Sequence, residues 1–554
     1  MAQKTYIGLS FGNHNSVIAI LNKEGNPEVI ANEDGEHKTP TYMAYSGSEE
    51  YAGSQAKHQA VRNAKSTLVS FRNLLGITDI EPSTESFADL YCPVTKNANG
   101  ELCYKFTVRG DNEDNDIEKE VTVKEAAVKY LTRLVQTAST YLGTTIDGAV
   151  LAVPTYFTDS QKEALSEVCK DAGVPLLQTI SEPCAAAITY GLGQSATKEH
   201  PQDTTALVVD VGGSSSELSI VSVRGGLFSV AAHTHLKSVS GDKVDQKLVE
   251  HFAEEFSRKT GIDIIKNNDK KALAKLSQAC EVTKRTLSSA STAPCPVESL
   301  SQGLDLNGVI NRIRFNIRTS SVYRPLGTAI TTLLAEAGYT VNEIDQVLFV
   351  GGAARIPKLQ SEVSALFPET TEIRTTDAGE LDELIAEGCA KQAALISSGK
   401  AAYVEKKEVV GEHGDGIQVP ALSKSVGLRL SEDKFLPILL RDTPAPASRA
   451  VVVSVPKGES VAFFSICEGD AVEPKEEEDD EENDGEVEDA DQDSGPAILQ
   501  SYKPGKLLGE MVLRVPESNK PVSVSVNFFV GKDHKLTVTA TEKSTNTESK
   551  LEIA

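Results

Sequence analysis

The feature that most constrains this chain is a pattern it contains twice. Residues 206–223, ALVVDVGGSSSELSIVSV, read as an apolar strand ending at Asp210, a turn of small residues (Gly212, Gly213, Ser214, Ser215) and a second apolar strand. Residues 6–21, YIGLSFGNHNSVIAIL, repeat the design around Gly12, Asn13 and His14, with Ser10 standing where Asp210 stands. A hairpin tip without bulky side chains lets backbone N–H groups close around a phosphate. One glycine-serine tip is also an ordinary hairpin turn. Two of them, at corresponding places in successive halves, predict a duplicated α/β fold with a nucleotide between the halves.

The length, 554 residues, suits two to four domains rather than one core. No basic and apolar leader opens the chain, and no apolar run approaches the roughly 20 residues of a membrane span. The eight cysteines are scattered without a C-x-x-C pair, so they read as reduced residues of a cytoplasmic protein, not as a zinc site. Net charge is −25, and residues 470–493 alone hold fifteen acids against Lys475. An acidic whole disfavours extensive nucleic-acid contact, so association with an RNA-rich particle is expected to run through a partner.

Along the chain, 61–75 reads as helical and 76–120 as irregular, with an exposed polar loop at 111–120. An amphipathic helix is expected at 124–142, ended by Gly143. A buried strand at 148–154 and a helix capped by Thr158 and Gln161 follow. Further helices are expected at 185–190, 243–260, 270–287 and 382–397, with a buried strand at 346–350. This alternation defines an α/β domain over residues 1–400. Residues 401–420 change to a charged, glycine-containing linker. Beyond it the period becomes two, and seven short strands predict a β-sandwich over 421–554, interrupted by a disordered acidic loop at 470–494.

Five stretches carry a resemblance to a known family: VPTYF (153–157), ISEPCAAA (180–187), DVGG (210–213), ACEVTKRTLS (279–288) and VGGAARIP (350–357). They resemble the seventy-kilodalton heat-shock chaperones of the DnaK type across residues 5–400, continuing less strongly to the end. The resemblance implies an actin-like, two-lobed ATPase domain followed by a peptide-binding β-sandwich. It implies ATP as cofactor, with magnesium held through water and no direct metal ligand. Glu281, Lys284, Arg285 and Ser288, which share one helix face, look like the adenosine contacts. Gly351, Gly352, Ala353 and Arg355, with Asp382, look like the loop over base and ribose. Gly12, Asn13, His14, Gly212, Gly213, Ser214 and Ser215 look like the phosphate tips. Read alone, the helix face from 281 to 288 is a solvated surface; the flanking loops turn the reading to nucleotide contact.

The departures bear on activity. Where hydrolysing members carry an aspartate on the first hairpin, this chain has Ser10, followed by Asn13 and His14 in place of threonines. Their water-positioning lysine corresponds to Arg72, and a later aspartate to Glu217, whereas Glu182 and Asp210 match. Phosphoryl transfer needs an in-line water and neutralised charge at the γ-phosphate, so these exchanges predict ATP binding with weak or absent hydrolysis. The linker around 405–411 has little to bury, and no helical lid is expected after the sandwich. The combination resembles the atypical, ribosome-associated Ssz-type branch. That likeness implies a stable heterodimer with a zuotin-type J-domain protein through the β-sandwich, indirect ribosome contact, and stimulation of an active chaperone of the same family. The alternatives are an active ATPase with a truncated, lidless substrate domain, and a small-molecule kinase of the actin-like superfamily.

Overall fold

Both hairpins form, and each heads a sheet of the same plan. In the first, the strand order is Leu176–Ser181, Gly148–Val153, Tyr6–Phe11, Asn15–Leu21, Pro27–Val29, with Thr39–Pro40 also on Asn15–Leu21. In the second it is Glu372–Arg374, Gln346–Val350, Thr204–Val211, Ser216–Arg224, Leu227–Leu236. The hairpin side of each sheet is antiparallel and the other side parallel. Ser10 lies opposite Val17 and Ala152, and Asp210 opposite Glu217 and Val350. The two positions are therefore equivalent in the duplicated frame. This computed structural model describes residues 4–78, 91–109, 116–193, 203–375, 380–397, 421–430, 434–471, 502–531, 533 and 535–553.

Local signals account for most of the helices. Val123–Leu142 starts at a reciprocal capping box between Thr122 and Glu125 and stops at Gly143, whose φ is 65°. Asp159–Asp171 is capped the same way by Thr158 and Gln161. Each sheet's last strand leads towards a helix, Glu182–Thr189 in the first half and Leu384–Ser397 in the second. These two helices cross closely: a Cβ on Gly388 would lie 1.9 Å from the Ala185 carbonyl oxygen. Leu384–Ser397 also lies over Tyr6–Phe11, so it packs on both halves.

Several expectations need correction. Residues 61–75 are not a helix. They form short 3-10 turns at Ala64–Ser66 and Arg72–Leu74 around the strand Thr67–Leu68, which pairs with Met43–Ser46. Nor is 76–120 irregular: Val94–Lys96, Leu102–Arg109 and Asp116–Thr122 make an antiparallel sheet. The exposed loop expected at 111–120 is therefore strand from Asp116 on, and 111–115 lie outside the described residues. A hairpin, Thr292–Ser301 with Leu304–Asn311, and two helices, Arg312–Tyr323 and Pro325–Glu336, were not anticipated. The expected linker 401–420 and nearly all of 470–494 lie outside the described residues.

After residue 420 the described chain forms eight strands in two antiparallel sheets of four. One is ordered Phe435–Leu439, Ser425–Arg429, Val461–Ala471, Tyr502–Arg514. The other is Ala447–Val455, Val522–Val530, Leu536–Glu542, Glu548–Ile553, and its last strand is one more than the sequence pattern suggested. Both sheets contribute to one core, including Leu428, Phe464, Ile466, Val524, Phe528 and Val538. All eight cysteines are free thiols, seven of them buried. Among the described residues no helix is long and apolar enough to cross a membrane.

A polar clamp joins this unit to the second half. The Arg441 guanidinium donates to the carbonyls of Ala337 and Gly338, just past the end of helix Pro325–Glu336, and lies 4.0 Å from the Tyr339 ring centroid. The Tyr339 hydroxyl donates to Asp442, and Arg224 Nε donates to the Arg441 carbonyl at 2.8 Å. A cation at a helix C-terminus and over a ring contributes about 1–3 kcal/mol in total. Arg441→Ala is accordingly expected to loosen the two units, read as an increased radius of gyration in small-angle X-ray scattering. An unchanged profile would contradict the clamp.

Candidate functional site

The two hairpin tips meet. Asn13 Nδ2 donates to Ser214 Oγ at 3.2 Å, and His14 Nε2 lies 2.9 Å from a carboxylate oxygen of Asp242. The His14 ring occupies the space beside Gly213, where a Cβ would come within 2.5 Å of it. Helix Gly241–Thr260 starts against the second tip: the N–H groups of Gly241 and Asp242 donate to the carbonyls of Gly212 and Gly213, both at 2.9 Å. The positive end of that helix therefore abuts the tip.

Between the halves lies a cavity of about 800 Å³, large enough for a nucleotide. Helix Lys270–Ser289 presents Glu281, Lys284, Arg285 and Ser288 to it from one side. Gly352, Ala353 and Arg355, from the turn Gly352–Arg355, line another side together with Asp382. Asn13, His14 and Gly213 line the end at the tips. Gly12, Gly212, Ser214 and Ser215 complete those tips behind the lining. Gly351 has φ 86°, and a Cβ there would lie 2.5 Å from Asp210 Oδ1, so only glycine fits.

Among the lining residues that sequence reasoning missed are Lys38, Tyr42, Lys57 and Asp245. Lys57 grips both oxygens of Glu281 at 3.0 and 2.8 Å, across the cleft. Although burial opposes it, Lys57, with Arg285 and Lys284, holds the Glu281 carboxyl down at about 2. Lys38 and Arg355 each reach Asp382 at 2.5 Å and keep it below the ordinary carboxylate range against the effect of burial. Lys284 meets Asp245 at 2.5 Å, yet burial still raises Asp245 to about 6. One signal was readable: Ser240 caps a helix whose first turns carry Asp242 and Asp245, facing the glycine tip. Lys57 left none, since Glu281 is 224 residues away.

Behind the tips stands a wall made of Ser10, Arg72, Glu182, Asp210 and Glu217. Ser10, Arg72, Glu182 and Glu217 are buried and Asp210 is half-buried. Arg72 does not line the cavity. Its Nη2 donates to Glu182 at 2.7 Å, Nε to the Phe11 carbonyl at 2.8 Å, and Nη1 to Asn73 at 2.8 Å and the Tyr156 hydroxyl at 3.3 Å. The Phe157 ring covers it at 5.0 Å. Burial pushes Glu182 up to about 7, with Glu217 adding to the rise and Arg72 opposing it. Asp210 is raised well above its ordinary value by burial and by Glu182 and Glu217. Glu217 is raised by burial too, held back by hydroxyl donors on Thr155 and Ser219.

A family model described as Hsp70 protein matches residues 6–454. The chain belongs to the Hsp70 family. A heat shock protein 70 homolog of Schizosaccharomyces pombe is 39% identical over 84% of this chain and 81% of its own length. The ribosome-associated complex subunit SSZ1 of Saccharomyces cerevisiae is 33% identical over 99% of both chains. A ribosome-associated molecular chaperone of Eremothecium gossypii is 29% identical over 99% of this chain and 81% of its own.

Hsp70 proteins bind ATP or ADP with magnesium. The residues here fit an adenine nucleotide: a cavity of about 800 Å³ with mixed apolar and charged lining, two glycine tips at one end, and a buried Asp245 oxygen with no hydrogen-bond partner. Among the described residues no cluster of three or more His, Cys, Asp or Glu is arranged to ligate a metal.

The wall's charge balance gives a pH-dependent expectation. Glu182, Asp210 and Glu217 have folded-state values above their unfolded ones, so they bind protons more tightly when folded, and stability falls as pH rises through that window towards 7. Arg72→Ala removes the cation that limits this loss, at a cost of about 3–5 kcal/mol when the carboxyls are ionised. The drop in melting temperature relative to the parent is expected to be larger near pH 8 than near pH 5.5. An equal drop at both would refute this account of the wall.

Proposed function

We propose that this chain holds ATP as a stabilising ligand with little or no hydrolysis, and works in the cytoplasm as a ribosome-associated cochaperone. In this reading it forms a stable heterodimer with a zuotin-type J-domain protein and stimulates an active Hsp70 on nascent chains. The observation that carries it is the Arg72 fork. Every nitrogen of that guanidinium is engaged in the wall, so it is not free to position an attacking water at a γ-phosphate. Ser10, with no charge, stands at the hairpin position equivalent to Asp210. Binding does not need either group.

Each part of the cavity has a role in this reading. Glu281, Lys284, Arg285 and Ser288 hold adenosine from one side, and Gly351, Gly352, Ala353 and Arg355, backed by Asp382, close over it. The tips offer backbone N–H groups to the phosphates, where His14 adds an imidazole. Magnesium accompanying ATP would neutralise phosphate charge. The full-length likeness to a ribosome-associated complex subunit supports the ribosomal setting. We divide the chain into a nucleotide-binding domain (1–400), a linker (401–420) and a β-sandwich (421–554). The sandwich serves as the docking surface. Its outward cross-strand pair Phe463–Val512 is exposed, as a protein-binding face requires.

Restoring the missing chemistry tests the proposal. Ser10→Asp combined with Arg72→Lys is expected to raise phosphate release in a single turnover by at least about tenfold over the parent, with ATP affinity retained. No gain would contradict the assigned cause.

A further inference from the structure

Helix Arg312–Tyr323 buries Phe315, Thr319, Val322 and Tyr323 against the second half. Its opposite face is unusual. Ile313 is 74% and Ile317 71% exposed, one turn apart on the same side, and Val309 on the preceding strand is 63% exposed. Burial of such side chains drives association, so a rigid helix that holds two isoleucines in water offers a ready contact.

The charge of this face sets it apart from the rest of the chain. No Asp or Glu occurs from 306 to 335, although the chain as a whole carries −25. Four arginines fall in that stretch. Arg312 is used internally, donating to the carbonyls of Leu287, Ser288 and Ala290. Arg318 lies 3.2 Å from Glu254. Arg314 and Arg324 are exposed, Arg314 one turn from Ile317 on the helix surface. Beyond Arg324 a groove of about 640 Å³ continues along helix Pro325–Glu336, lined in part by Leu236, Ala329 and Leu333.

We propose that this face docks an acidic amphipathic helix of a partner protein. The partner's aliphatic residues seat on Ile313 and Ile317, and its carboxylates meet Arg314 and Arg324. Spacing of i, i+4 on a convex helix suits helix-on-helix packing. A nucleic acid would use the arginines and leave both isoleucines unsatisfied. The chain's large acidic excess also repels a polyphosphate more strongly than a helix bearing a few carboxylates. The surface is separate from the nucleotide cavity and does not depend on how that cavity is read.

The test uses the full chain and three fluorescein-labelled probes followed by anisotropy. One is a synthetic helical peptide with leucines at i, i+4 and i+7 flanked by glutamates. The second is a scramble of the same composition, and the third an RNA hairpin. The patterned peptide is expected to bind at least about tenfold more tightly than the scramble and to weaken with salt. Ile313→Ser/Ile317→Ser and Arg314→Glu/Arg324→Glu are each expected to cost at least about tenfold in its binding. Circular dichroism and the melting temperature, measured in parallel, report that both variants are folded. Equal binding of patterned and scrambled peptides, or none of either, would overturn the proposal. So would tighter binding of the RNA hairpin that survives loss of the isoleucines.

Discussion

One buried guanidinium governs the chemistry of this molecule. Arg72 enters a wall that holds Glu182, Glu217 and Asp210, and it is the cation among them. Three carboxyls in one low-dielectric wall cannot all ionise without a positive charge nearby. The same contacts that let Arg72 supply that charge hold its fork still. A guanidinium fork with every nitrogen engaged is held in one geometry, unlike the rotatable point charge of a compact ammonium on a flexible stem. In the proposed reading, stability and weak or absent turnover are two consequences of one side chain.

Holding a ligand is a separate matter, and the cleft is arranged for it. Lys57 with Glu281, Lys38 with Asp382, His14 with Asp242 and Asn13 with Ser214 all connect the halves across the cavity. Each pair is partly exposed and contributes modestly, about 0–1 kcal/mol. Together with the tight crossing at Gly388, they favour a closed arrangement. Glu281 illustrates the pH range of that closure. Its folded-state value is depressed to about 2, so its contribution is present above the ordinary carboxylate range and is lost only as pH falls towards that value. A closed cleft and an immobilised wall suit a ligand that stays.

What was legible in the sequence was local. Hairpins with glycine tips, the capping box at Thr158, and a helix face repeating at 281, 284, 285 and 288 all declare themselves within a few residues. What was lost depended on partners far along the chain. Residues 61–75 carry apolar positions at a helical spacing, but Ser70 sits at φ 59° and Thr67–Leu68 pairs with a distant strand. In 102–109 burial alternates as in a half-buried strand, yet the polar tract that follows obscured it. Helix Arg312–Tyr323 escaped notice because its outward isoleucines blur the apolar period. The cross-cleft lysines are visible only once the halves are brought together.

The central claim is that ATP is a resident ligand here, and it is tested most directly on the unaltered chain. A nucleotide-binding isotherm and single-turnover hydrolysis of radiolabelled ATP, each with and without a J-domain, measure binding and chemistry separately. The account predicts saturable binding with no release of phosphate over the time in which an active Hsp70 completes its turnover. Release stimulated by the J-domain would contradict it, and would mean that Arg72 and Ser10 still support catalysis.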